Sequence, residues 1–271
     1  MADNRAIGVF DSGLGGLTVV KELRSLLPDE DIVYFGDTGR VPYGTKSRET
    51  IRKYAVEDEK FLLSKNVKLI IAACGTVSSV ASDIGAKLPV PYFEVVSHSA
   101  VSAVNETKNK KIGVIGTAAT VNSGMHKKLI LELLPEAEVT ACSCSMFVPL
   151  VEEGWFSEDD AVVLGTAGRY LKPMLESNVD TLILGCTHYP ILSEAIDKVL
   201  NHKVKLINMG TSVALSVANY LKENDMLSEG NKGECTFYVS DKPDNFRNTA
   251  SILLGNDFDE QKVEQVDLNS L

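Results

Sequence analysis

No stretch of this chain stays apolar for the roughly 18 to 20 residues that a membrane-spanning helix needs. The opening MADNRAIGVF runs into strand-like sequence without the apolar core of a signal peptide. The expected address is therefore the cytoplasm, with no membrane as a partner. Basic clusters are scarce as well: 27 Lys and Arg stand against 37 Asp and Glu, for a formal charge of -10, and only ETKNKKIG at 106–113 is mildly basic. Direct nucleic-acid binding is disfavoured, which leaves small molecules or proteins as partners. The C-x-x-C and H-x-x-x-H spacings of metal sites are missing, so no metal is expected. Cysteines number five, an odd count scattered over 271 residues, which argues against a disulfide framework and for reduced thiols with individual roles.

Short apolar runs alternate with amphipathic stretches: AIGVF then LTVVKELRSLL, DIVYFG then RETIRKYAVEDEKFLLSK, VKLIIAAC then SSVASDIGAKL, and finally PYFEVV. That alternation predicts βαβ units and mainly parallel sheets flanked by helices, an α/β fold. The pattern restarts at KIGVIGT (111–117) and passes through GMHKKLILELL, EVTACSC, DDAVVLGTAGRYLKPMLES and DTLILGC to ILSEAIDKVL and VKLIN. AIGVFDSGLGG resembles KIGVIGTAATV, and NVKLIIAACGT (66–76) resembles NVDTLILGCTH (178–188), with a cysteine at the same offset. Two pseudo-symmetric α/β domains follow, with the active site expected in the cleft between them. The segments SVALSVANYLKEN, CTFYVS and NFRNTASILLG have no counterpart in the first pass and are assigned back to the first domain. The expected division is 1–97 plus 208–271 for the first domain and 98–207 for the second.

Ligands of open α/β sheets bind beyond the carboxyl ends of the strands, where Cys74 and Cys186 both fall. Thr76 and Ser78 are candidate helix caps after the first, and Pro190 suits a first helical turn after the second. A thiol at a helix N-terminus is expected to have its pKa lowered from about 8.5 toward neutrality. His188 can relay a proton beside Cys186. A buried cysteine is more often a small hydrophobe at a strand end, the reading kept for Cys142, Cys144 and Cys235. Repetition of Cys followed by Thr argues for chemistry at Cys74 and Cys186. Two thiols facing each other across a cleft supply what inversion of a stereocentre demands, one removing a proton and the other returning one to the opposite face.

Other polar loops offer binding groups. DSGLGG (11–16) lacks the full dinucleotide fingerprint, although Asp37 stands where an acidic partner would be sought. Asp11 and Ser12 can instead meet an ammonium group, and Asp11 can orient or accept a proton on the Cys74 side. Backbone N–H groups near Gly44 can hold a carboxylate, with an ordinary surface turn as the competing reading. Thr117 and Thr120 offer hydroxyls to a second carboxylate, with helix capping as the competing explanation. Glu152 in PLVEEGW reads from pattern alone as a solvated carboxylate at a helix end.

Taken in order, D-S-G-x-G-G (11–16), G-D-T-x-R-x-P-Y-G (36–44), A-C-x-T (73–76), G-T-x-x-T-x-x-S (116–123), L-V-E (150–152) and G-C-T-H-Y-P (185–190) resemble the glutamate racemases of the aspartate/glutamate racemase family. The resemblance runs from about residue 5 to 210. It implies a racemase that needs no cofactor, uses two thiols and supplies D-glutamate for bacterial peptidoglycan; a homodimer is compatible with it. By the same resemblance Cys74 and Cys186 are the acid/base thiols, Asp11 and Glu152 support the first, and His188 supports the second. Ser12, Thr76 and Thr187 would line the amino-acid head, and Pro42, Tyr43 and Gly44 would bring a turn to a carboxylate.

Two positions depart from the family pattern. Gly75 stands where the family usually has Asn, removing a side-chain amide expected to bond the substrate, a loss worth on the order of 1 to 3 kcal/mol. His126 stands where tyrosine is common. A racemase of aspartate or another amino acid, a non-catalytic module holding an acidic ligand or a protein, and a nucleotide-dependent oxidoreductase are the alternatives.

Overall fold

A computed structural model describes residues 2–230, 232–254, 258 and 262–268. The first pass runs β1 (Ile7–Asp11), α1 (Leu17–Leu26), β2 (Ile32–Gly36), a 3₁₀ turn (Tyr43–Thr45), α2 (Arg48–Ser64), β3 (Leu69–Ala72), α3 (Gly75–Gly85), β4 (Tyr92–Glu94) and α4 (Val95–Glu106). The second runs β5 (Lys111–Gly116), α5 (Ala118–Ser123), α6 (Met125–Leu133), β6 (Glu138–Ser143), α7 (Phe147–Glu152), α8 (Ala161–Glu176), β7 (Thr181–Gly185), a 3₁₀ turn (Tyr189–Leu192), α9 (Ser193–Val199), β8 (Lys205–Asn208) and α10 (Met209–Glu223). Then come β9 (Cys235–Val239), α11 (Pro243–Leu254) and β10 (Val263–Gln265). Residue 255, the last of the expected NFRNTASILLG helix, lies outside the described residues.

Strand order shows the duplication directly. The first sheet is ordered β10-β9-β2-β1-β3-β4 and the second β6-β5-β7-β8, so β2-β1-β3-β4 recurs as β6-β5-β7-β8. Every pairing among the described strands is parallel. The tail segment CTFYVS becomes β9, which pairs with β2 and extends the first sheet. Among the described residues no helix is long and apolar enough to cross a membrane.

Burial follows from the pleat. Along β1, Val9 points into one apolar cluster and Phe10 into another on the opposite face, and β3 repeats this with Ile71 and Ile70. Because both faces are covered, these strands read as continuous apolar runs. In the second sheet Leu182 and Leu184 face a cluster of their own, whereas Val114 and Ile183 join the cluster of Val9 and Ile71. One core is thus shared by the two sheets, with α4 and α10 packed against each other inside it.

Helix α4 is absent from the sequence expectations, which run PYFEVV on as one strand. Its mixture of Val, Ala and Ser carries little contrast between faces, yet Glu94 caps it by accepting from Val96 N–H (2.6 Å) and Ser97 N–H (2.9 Å). The repeated Asn-Val also finds a physical cause. Asn66 and Asn178 take left-handed φ values of 56° and 52° just past α2 and α8, a conformation asparagine tolerates well, and so turn each helix into its cysteine-bearing strand.

Candidate active site

The loops after β1, β3, β5 and β7 meet at the carboxyl edges of the two sheets. Between them lies a cavity of about 40 Å³ lined by Cys74, Gly75 and Thr76 from one half and by Thr117, Glu152, Cys186, Thr187 and His188 from the other. Ser12, Pro42, Tyr43 and Gly44 complete the expected lining, joined by Val41 and Val148, which carry no polar signal in sequence. Asp11 and Thr120 are fully buried behind this lining rather than in it. The space has room for a few water molecules, and the two halves approach each other closely around it.

Cys74 is not the last residue of its strand, as expected, but the N-cap of α3, two residues beyond the end of β3 at Ala72. Thr76 and Ser78 therefore lie inside the helix rather than capping it: Thr76 Oγ1 is 3.0 Å from Thr117 Oγ1 across the cleft, and Ser78 Oγ donates to Ala72 O. The Cys74 thiol donates to Ser12 Oγ at 3.6 Å. Its pKa is not lowered, as the helix terminus led us to expect, but pushed up to about 12. Burial is the largest cause and the adjacent Asp11 charge the next, and together they outweigh the Val77 N–H and Ser12 bonds. Asp11 is itself raised by burial, against the His188 charge and the N–H groups of Gly16, Gly13 and Ser12.

Cys186 sits in different surroundings. A 3₁₀ turn with Pro190 near its start follows it, and α9 begins only at Ser193, so no helix N-terminus faces this sulfur. What faces it is His188, with Nδ1 3.9 Å from Cys186 Sγ and Nε2 3.3 Å from Glu152 Oε1. Burial drives the ring toward neutrality, but the contacts with Cys186 and Glu152 and the charge of Asp11 prevail and carry its pKa up to about 10. Glu152, expected from the resemblance to support the first cysteine, instead stands against His188 on the Cys186 side. It reaches there because α7 ends on it beside the turn at Tyr189–Leu192. Thr187 Oγ1 lies 3.5 Å from Asp11 Oδ1, and Thr18 Oγ1 donates to Thr187 O at 3.1 Å, tying this loop to the first half.

The Pro-Tyr-Gly turn is anchored from below. Tyr43, fully buried, bridges the carboxyl groups of Asp37 and Asp58 (3.0 Å to the latter), while Arg40 reaches Asp37 (2.5 Å), Asp58 (2.9 Å) and Glu57. Burial, with the neighbouring Asp37 charge, holds the Asp58 carboxyl well above the carboxylate range. Asp37, the one acidic candidate for a nucleotide ribose, is thereby consumed by Tyr43, Arg40 and Ser240. Arg40 belongs to the G-D-T-x-R-x-P-Y-G motif without a role read for it, and Asp58 is a lone aspartate on an amphipathic helix; nothing in the sequence hints that they meet. Thr117 does cap α5, accepting from Thr120 N–H at 3.2 Å, so the capping explanation holds while its hydroxyl still lines the cleft. His126 is buried with Nε2 3.5 Å from Ser99 Oγ, and burial lowers its pKa to about 4.

Comparison with known proteins bears on this geometry. Residues 8–217 match the family model described as Asp/Glu/Hydantoin racemase. A glutamate racemase of Geobacter metallireducens is 43% identical over 253 residues, 93% of each chain. The crystal structure of glutamate racemase from Francisella tularensis in complex with D-glutamate superposes with a TM-score of 0.92 at 43% identity, covering 99% of this chain and all of that one. A glutamate racemase isoform from Bacillus anthracis superposes with a TM-score of 0.93 at 34% identity, over 98% of each chain.

Proposed function

Since the chain belongs to the Asp/Glu/hydantoin racemase family and is an amino-acid racemase, we propose that it interconverts L- and D-glutamate by proton transfer between Cys74 and Cys186. The observation that carries this reading is that the two thiols, and no other cysteine, line one small cavity from opposite halves of a duplicated fold.

In this scheme one sulfur, as thiolate, takes the α-proton; the electron pair left on the α-carbon delocalises toward the α-carboxylate. The opposite thiol then delivers its proton to the other face. The inverted product leaves with the two sulfurs in exchanged protonation states, and the reverse direction uses them in the opposite roles. His188 holds a proton beside Cys186 and passes charge toward Glu152. Cys74 has no such cation within its loop, and a buried Asp11 lies next to it. The substrate ammonium entering between Asp11, Ser12 and Cys74 would supply the missing positive charge and bring that thiol toward ionisation. Thr76, Thr117 and Thr187 and the N–H of Gly44, on the turn braced by Tyr43, bind the carboxylates. Each acid/base group is worth about 10²- to 10⁴-fold in rate.

The expected division near residues 97 and 208 falls at the starts of α4 and α10, and we assign the hinge between the two halves there. D-Glutamate for peptidoglycan, made in the cytoplasm, is the cellular role that goes with this activity. Circular dichroism of separate L- and D-glutamate solutions, without added cofactor, tests it: both signals decay to zero. Decay with aspartate and not with glutamate would overturn the substrate assignment.

A further inference from the structure

Gly75 was expected to matter for what it lacks, an amide toward the substrate. The structure points to the space it leaves. Gly75 opens α3 directly beside Cys74, and a Cβ placed on it would lie 2.6 Å from the main-chain oxygen of Gly185 and 3.4 Å from its carbonyl carbon, with Met209 Cε at 3.2 Å. Met209 has a flexible end that can move. Gly185 cannot: it closes β7, is paired with Gly116 of β5, and immediately precedes Cys186. A Cβ at Gly44 would also crowd the opposite half, 2.8 Å from Thr117 Cβ, but there the neighbour is the residue that caps the short α5 rather than the end of a strand held in the sheet.

We propose that Gly75 is the positioning residue that sets how far this cleft closes, and hence how closely the Cys74 and Cys186 loops approach. A backbone oxygen 2.6 Å from a carbon is far inside van der Waals contact, so any side chain at 75 must hold the two loops several tenths of an ångström further apart. The backbone at 75 is helical with no positive φ, and alanine is intrinsically favoured over glycine there. The effect of a side chain is thus on the fit across the cleft rather than on local folding. Proton transfer is sensitive to such displacements, since misplacement by about 1 Å costs on the order of 10²-fold. The kinetic part of this inference rests on the racemase reading above; the structural part does not.

The test compares the wild type with Gly75→Ala and Gly75→Asn, the latter carrying the residue usual in the family. Steady-state kinetics with glutamate is run beside iodoacetamide labelling of the ligand-free proteins, followed by mass spectrometry of the Cys74 and Cys186 peptides and checked against the Cys144 peptide. Both variants are expected to lose about tenfold or more in kcat, with a smaller change in KM, and to label several-fold faster at Cys74 and Cys186 with Cys144 unchanged. If Gly75→Asn instead lowers KM while kcat and labelling stay at wild-type values, the lost amide is the whole effect and the closure role is overturned. Should the wild type fail to racemise glutamate, the functional reading falls, while equal or unequal labelling among the three proteins still decides the closure role.

Discussion

The two cysteine loops come from one duplicated unit and have drifted into opposite electrostatic designs. Cys74 caps an eleven-residue helix, yet burial and Asp11 keep its thiol protonated up to about 12. Cys186 has only a short 3₁₀ turn behind it, but it faces an imidazole whose pKa is carried up to about 10. A helix terminus therefore counts for less in this buried cleft than burial and the nearest full charge. One loop carries its own cation, and in the proposed scheme the substrate ammonium supplies the other's. The chemistry proposed is symmetric, and the resting site that performs it is not.

The comparison can be broken most severely at the sulfurs. Cys74→Ala and Cys186→Ala should each reduce turnover in both directions by about 10³-fold or more, with unchanged far-ultraviolet circular dichroism. Near-wild-type rates in either variant would remove the pairing. His188→Gln should slow turnover by about 10²-fold and change the pH dependence of stability. A histidine whose folded pKa is raised stabilises the fold fully below its ordinary value near 6.5, and that contribution disappears as pH climbs through about 10. The stability gap between wild type and His188→Gln in urea titrations should accordingly narrow from pH 6.5 to pH 10; a constant gap would mean the ring carries no proton.

His126, behind the Cys186 strand, has the opposite sign. The unfolded chain takes up its proton near 6.5 and the folded chain only near 4, so stability falls as pH drops across that window, by roughly 3 kcal/mol. His126→Phe should flatten this acid limb of the melting curve. On the Cys74 half, Tyr43→Phe removes the hydroxyl that bridges two buried carboxyl groups and should cost about 1 to 3 kcal/mol by denaturant unfolding. The smallest change is expected for Glu152→Gln, whose side chain is 42% exposed: less than tenfold in kcat, read most clearly as a shift in the alkaline limb of the rate profile.

Much of this was legible in the sequence, for definite reasons. Apolar runs such as VKLIIAAC and DTLILGC are strands covered on both faces, and the matching offsets of their cysteines survive as matching strand positions in the two sheets. Helix α4 escaped notice because VVSHSAVSAVNE has no charged face to contrast with a buried one. The Asp37–Arg40–Tyr43–Asp58 cluster escaped because its members are brought together only by the tertiary packing of a loop on α2. For Glu152 the sequence showed a plausible carboxylate but not its side of the cleft, which the ends of α7 and β7 decide jointly. The thiol pKa was misjudged for a similar reason: a helix N-terminus can be foreseen from local sequence, whereas the depth of its burial cannot.

The central claim is that two opposed thiols exchange the α-proton of glutamate on both faces, and proton NMR in D₂O without added cofactor addresses it most directly. Starting separately from L- and D-glutamate, the account predicts that the α-proton signal disappears in both samples while the opposite, deuterated enantiomer accumulates. Persistence of the α-proton in both samples, with the protein folded, would contradict it.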